Sequence, residues 1–191
     1  MQEISQSRER SANIRGEPFE KLSIFYPMWN EEDYIERALH SNVGITNLLV
    51  DLFEARFDPS RPDGDQRADA TASLEERLDG ALDEVVSLDH DRILRAYRVI
   101  IRAILRTNYF QEDGGKDYIS FKLEPAAIPD LPEPRPRYEI FVYSPRLEGV
   151  HLRFGAVARG GLRWSDRRDD FRTEVLGLVK AQMVKNTVIV P

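Results

Sequence analysis

Asp117-Tyr118-Ile119-Ser120-Phe121-Lys122-Leu123 is the stretch at which the hydrophobic period of the chain changes. Ile119, Phe121 and Leu123 alternate with Tyr118, Ser120 and Lys122, the two-residue period of a half-buried strand. Upstream the period is helical. From Asp89 onward Ile93, Leu94, Tyr97, Ile100, Ile101, Ile104 and Leu105 fall within an arc of about 140° at about 100° per residue, which predicts one helix with a buried stripe through Leu105. Gln111-Glu112-Asp113-Gly114-Gly115-Lys116 separates the two regimes. The fold class expected is α+β passing into α/β, with a helical N-terminal half followed by strands.

Working back from that boundary, Leu74, Leu78, Leu82 and Val85 mark an earlier amphipathic helix that breaks near Ser87. Asp58-Pro59-Ser60-Arg61-Pro62-Asp63-Gly64-Asp65 is a loop by its turn chemistry. Before it, Leu48, Leu49, Leu52, Phe53 and Phe57 share one side of a helix. Asn30-Glu31-Glu32-Asp33 supplies an N-cap and first-turn acids for a helix carrying Tyr34, Ile35, Ala38 and Leu39, interrupted at Asn42 and Gly44.

Working forward, prolines 125, 129, 132, 134 and 136 make residues 125–136 an extended linker or surface crossing. Arg137 to Tyr143 reads as a second strand, with Tyr138, Ile140 and Val142 on one face and Glu139, Phe141 and Tyr143 on the other. Ser144-Pro145-Arg146 turns the chain into a third, in which Val150, Leu152 and Phe154 alternate with His151 and Arg153. A glycine-rich loop, one long helix and a β-branched run, Thr187-Val188-Ile189-Val190, complete the pattern. Strand, helix and strand in that order predict an α/β unit whose sheet continues beyond residue 191.

The 191 residues suffice for one domain or two small ones. No cysteine is present, which removes disulfides and thiolate metal sites and suits a reducing compartment. No apolar run reaches the length of a membrane span, and Met1-Gln2-Glu3-Ile4-Ser5-Gln6-Ser7-Arg8 has no apolar signal core, so a cytoplasmic protein is expected. The formal charge of −6 disfavours a global attraction to nucleic acid or an anionic membrane. An anion must be held by a local cluster.

Such a cluster lies in the last 33 residues. Gly160-Gly161 removes two β-carbons, so backbone N–H groups can approach a ligand, and Arg159 and Arg163 bracket the pair with guanidinium groups that fork onto carboxylate or phosphate. Ser165 or Asp166 can cap the helix that follows. With Phe171 at zero, Leu178, Val175, Val179 and Met183 fall at about 340°, 40°, 80° and 120°, so Lys185 at about 320° borders the apolar face while Lys180 at about 180° lies opposite. Of the two, Lys185 is the one better placed to point inward, while on the residues alone the favoured reading is a lysine snorkelling at a helix end, helped by the C-terminal dipole.

Other groups carry less chemistry. Arg92, Arg95, Arg98, Arg102 and Arg106 form a basic stripe opposite the apolar stripe of their helix, and no aromatics are interleaved with it. His40, His90 and His151 lack metal-ligand spacing, and no GxGxxG, P-loop or GxSxG motif occurs. A second reading of these residues is a non-catalytic helical interaction module whose arginines and glycine loop bind an anion or a partner.

Arg159-Gly-Gly-Leu-Arg163, the helix, Lys185 and the β-run ending at Pro191 closely resemble the large NAD-specific glutamate dehydrogenases. Leu49-Val-Asp-Leu-Phe-Glu-Ala-Arg-Phe-Asp-Pro59, Asp91-Arg-Ile-Leu-Arg95, Leu105-Arg-Thr-Asn-Tyr-Phe-Gln111 and Pro129-Asp-Leu-Pro-Glu-Pro-Arg-Pro136 are similar to the same family. So are Glu139-Ile-Phe-Val-Tyr-Ser-Pro-Arg146, Glu148-Gly-Val-His-Leu152 and Gly161-Leu-Arg-Trp-Ser-Asp-Arg-Arg168. Together these blocks span roughly residues 45–191.

The resemblance implies oxidative deamination of L-glutamate to 2-oxoglutarate and ammonia with NAD, in a homo-oligomer. It implies a helical, non-catalytic region over residues 1–115 and, over 116–191, the truncated start of an amino-acid-dehydrogenase substrate domain. It gives Arg159 the substrate side-chain carboxylate, in place of the lysine usual before the glycine pair, and Lys185 the α-carboxylate. It assigns NAD to a downstream domain absent here. The family's catalytic lysine lies in a Gly-x-Lys-Gly-Gly stretch that this sequence does not contain, so the chain alone is expected to be inactive.

Overall fold

A computed structural model of the chain describes residues 32–111, 117–129, 131, 133–144, 146–155 and 171–183. By their contacts they divide into two compact units, one comprising residues up to Ile101 together with 109–117, the other 102–108 together with 118 onward. Among the described residues there are five helices and a four-stranded antiparallel sheet, a mixed α+β architecture with the helices first.

The first unit is helical: α1 (Glu32–Ser41), α2 (Val43–Phe57), α3 (Asp65–Asp83) and α4 (Leu88–Ala103), the last passing into the second unit beyond Ile101. The periodic residues are buried as expected: Ile35, Ala38 and Leu39 on α1, Leu74, Leu78 and Leu82 on α3, and Leu94, Tyr97, Ile100 and Ile101 on α4. Tyr34 is exposed. Only Asn42 interrupts α1 and α2, whereas Gly44 lies within the first turn of α2. The Asn42 Nδ2 donates to Ala38 O, and Thr46 Oγ1 donates to Leu39 O, so two side chains bridge the break.

The α2 helix buries more than one face. Ile45, Val50 and Ala55 are inside with Leu49, Leu52 and Phe53, as befits the central helix of its unit. Its end is fixed by Arg67 of α3, which donates to the carbonyls of Ala55, Asp58 and Arg61. Tyr109 and Phe110 close on Phe53 at centroid distances of 5.5 and 5.7 Å.

The second unit is built on β1 (Ile104–Thr107), β2 (Ile119–Leu123), β3 (Tyr138–Ser144) and β4 (Leu147–Arg153), paired in that order, with α5 (Phe171–Met183) packed against β4. Here the structure corrects the helical expectation for Ile104 and Leu105. The α4 helix stops at Ala103 and the chain passes directly into β1, where Ile104 is buried and Leu105 is 40% exposed. Pairing with β2 supplies hydrogen-bond partners that another helical turn would have used, and β-branched Ile104 and Thr107 suit a strand.

The β2 strand shows the predicted alternation, with Ile119, Phe121 and Leu123 buried. The proline-rich stretch joins β2 to its sheet neighbour β3, so it is the long loop of a hairpin. Arg135 braces it through the carbonyls of Leu131 and Pro129. The third predicted strand starts earlier than expected, at Leu147, because the Ser144 hydroxyl accepts from the Leu147 N–H and tightens the turn; Phe154 falls outside it. The glycine-rich loop and the run 187–190 lie outside the described residues.

Candidate functional site

The inner face of the sheet carries Ile104, Ile119, Phe121, Leu123, Phe141 and Leu152, all buried. One charged group shares it. Glu139 stands directly opposite Leu123 on one side and Leu152 on the other, and is 5% exposed. Its carboxylate is forked by Arg172 of α5, with Nε to Oε1 at 2.8 Å and a terminal nitrogen to Oε2 at 2.7 Å. Leu176 and Val179 complete the buried side of α5.

Every residue of the anion cluster expected from the sequence, Arg159, Gly160, Gly161, Arg163 and Lys185, lies outside the described residues. What the structure describes is the helix lying between them in the chain. Among its described side chains Leu176, at about 140°, and Val179, at about 80°, are buried, while Arg172, Val175 and Leu178 are half-buried. Lys185 lies outside the described residues, and its assignment stands on the family resemblance. Glu139 and Arg172 are the pair that sequence reasoning missed. Alternation divides β3 into two faces without choosing between them, and the two partners stand 33 positions apart.

The outer face of the sheet is cationic. Arg106 is paired in register with Lys122, Lys122 Nζ sits 4.0 Å from the Tyr138 ring centroid, and Tyr138 is paired with Arg153. Burial, with Arg153 nearby, holds the His151 imidazole below its ordinary pKa of 6.5. Charge is divided unevenly between the units. The helical unit contains 13 Lys and Arg against 24 Asp and Glu, and the sheet unit 14 against 9.

The arginines of α4 do not form an open basic stripe. Arg95 is paired with Asp83 and Asp91, Arg98 with Glu75 and Asp79, and Arg106 belongs to β1. An open cleft of about 830 Å³ in the helical unit has walls of mixed charge, among them Asp51, Arg77, Glu84 and His90. Among the described residues no group of three His, Asp or Glu is placed to hold a metal, and no helix is long and apolar enough to cross a membrane. The described sheet is antiparallel throughout.

Residues 77–191 match the family described as bacterial NAD-glutamate dehydrogenase, catalytic domain, and residues 28–59 match glutamate dehydrogenase, helical motif 3. The chain is similar to the NAD-specific glutamate dehydrogenase of Pseudomonas aeruginosa, with 60% identity over 83% of this chain and 10% of that protein. The corresponding enzymes of Halomonas elongata and Mycobacterium tuberculosis are 58% and 57% identical, each over 84% of this chain and 10% of their own length. The chain thus spans about a tenth of the length of these relatives.

Proposed function

Because this chain belongs to the bacterial NAD-glutamate dehydrogenases, we propose that it carries the glutamate-recognising cations of an enzyme that oxidatively deaminates L-glutamate to 2-oxoglutarate and ammonia in glutamate catabolism. The observation that carries this reading is the catalytic-domain match over residues 77–191, which includes the whole sheet unit with its excess of basic residues. Arg159 holds the side-chain carboxylate, Gly160 and Gly161 let the backbone approach it, Arg163 adds positive potential, and Lys185 holds the α-carboxylate. Two separated cations measure the length of a dicarboxylate as well as its charge.

NAD is the cofactor of the whole protein in this reading. Its binding belongs to a separate nucleotide-binding domain outside these 191 residues, consistent with the lack of a GxGxxG motif in them. Residues 1–115, apart from β1, act as a helical scaffold and 116–191, together with β1, as the beginning of the substrate domain, within a cytoplasmic homo-oligomer. The alternative, a non-catalytic helical interaction module that binds an anion or a partner, is left with a weaker arginine stripe, because Arg95 and Arg98 are ion-paired within the helical unit.

Lys185→Ala in the full-length enzyme tests the reading. The glutamate KM should rise and kcat/KM fall while NAD affinity stays intact. An unchanged kcat/KM for glutamate refutes the role of Lys185. The isolated chain should give no glutamate-dependent NADH signal, and a measurable signal would refute its inactivity.

A further inference from the structure

We propose that the fork between Glu139 and Arg172 is a positioning device for substrate recognition, fixing the rotation and axial position of α5. This rests on the reading of the chain as part of a glutamate dehydrogenase. In sequence α5 lies between Arg159 and Arg163 on one side and Lys185 on the other, which is the ground for linking the helix to substrate recognition.

Two observations set this pair apart from ordinary helix packing. The carboxylate is buried on an apolar sheet face, in register with Leu123 and Leu152, a place where leucine would pack without any charge to desolvate. Both carboxylate oxygens are engaged by one planar guanidinium, a geometry that defines an angle as well as a distance.

Glu139 is buried and Arg172 is 26% exposed; ion pairs drawn into an apolar face add little net stability over an apolar pair of similar volume, and the best-attested use of buried polar groups is to fix register. Leu176 and Val179 hold α5 to the sheet, but apolar contacts allow it to rotate by small angles. At a radius of about 6 Å, a rotation of about 10° moves a side-chain tip by about 1 Å. A misplacement of about 1 Å can lower catalytic efficiency by about 100-fold.

The test uses the full-length enzyme. The double variant Glu139→Leu/Arg172→Met removes the fork without stranding a charge. It should keep the wild-type melting temperature within a few degrees while kcat/KM for glutamate falls by about 10-fold or more. The KM for NAD should not change. Arg172→Lys, which keeps the charge and loses the fork, should show the same glutamate-specific loss to a smaller degree and serves if the double variant does not fold. The reversed pair Glu139→Arg/Arg172→Glu should recover part of the loss. Wild-type kcat/KM for glutamate in a folded variant lacking the fork overturns the proposal, as does an equal loss toward glutamate and NAD. A wild-type enzyme that does not oxidise glutamate overturns the functional reading and this inference with it.

Discussion

Arg98 on α4 donates from Nε to Glu75 Oε2 on α3 at 2.7 Å and reaches Asp79, one turn further along the same helix. The arginine is 13% exposed and Glu75 19%, whereas Asp79 is 57% exposed, so only the Glu75 side of the cluster is shielded from water. Its partners hold the guanidinium above its ordinary pKa, mainly through the hydrogen bond with Asp79. Arg98→Met should cost about 1.5–3 kcal/mol, the range for hydrogen bonds to charged groups. Urea denaturation followed by circular dichroism would measure it. A loss below about 0.5 kcal/mol would mean that the cluster behaves as an exposed surface pair.

Leu78 is fully buried on α3 whereas Val86, in the connection to α4, is 96% exposed. Leu78→Ala should destabilise the helical unit by about 3 kcal/mol through lost transfer energy and a residual cavity. Val86→Ala should change stability by less than about 0.5 kcal/mol. Equal effects from the two variants would contradict the assigned packing.

Arg67 closes the end of α2 through three backbone carbonyls. Arg67→Met should leave those carbonyls without that donor, cost about 2 kcal/mol, and speed amide exchange in residues 58–64. Arg67→Lys should recover little, because an ammonium cannot span three acceptors in a plane. Unaltered exchange in that loop would rule out the clasp.

The His151 imidazole takes up a proton less readily in the folded protein than in the unfolded chain, because burial and Arg153 both lower its pKa. Protonation therefore favours unfolding. The contribution of this group is fully present above about pH 6.5 and is lost as the pH falls through that value toward the lower folded pKa. His151→Gln should flatten stability between about pH 7 and 5, read from denaturant midpoints across that range. An unchanged slope would show that other groups dominate the mild-acid response.

Much of this fold was legible because burial follows period. Leu74, Leu78 and Leu82 could belong only to a helix, and Ile119, Phe121 and Leu123 only to a strand. Ile104 was ambiguous, since its side chain is inside whether the backbone continues as a helix or turns into a sheet edge, and only pairing with Leu123 decides between them. The fork that meets α5 was not legible in period alone. Arg172 becomes inward only when Glu139 is there to meet it, and the two are 33 positions apart. The five site residues rested on pattern and resemblance, and period alone would not have named them.

The early arrival of β1 bears on how this protein can be taken apart. The chain enters the sheet unit at residue 102, leaves it after 108 and returns at 118, so the sheet is not a contiguous cassette. A cloning boundary at residue 116 would strip away the selvage strand and leave β2 with open hydrogen-bonding groups beside Ile119, Phe121 and Leu123, an invitation to strand-by-strand aggregation. A piece begun at 102 keeps its own hem.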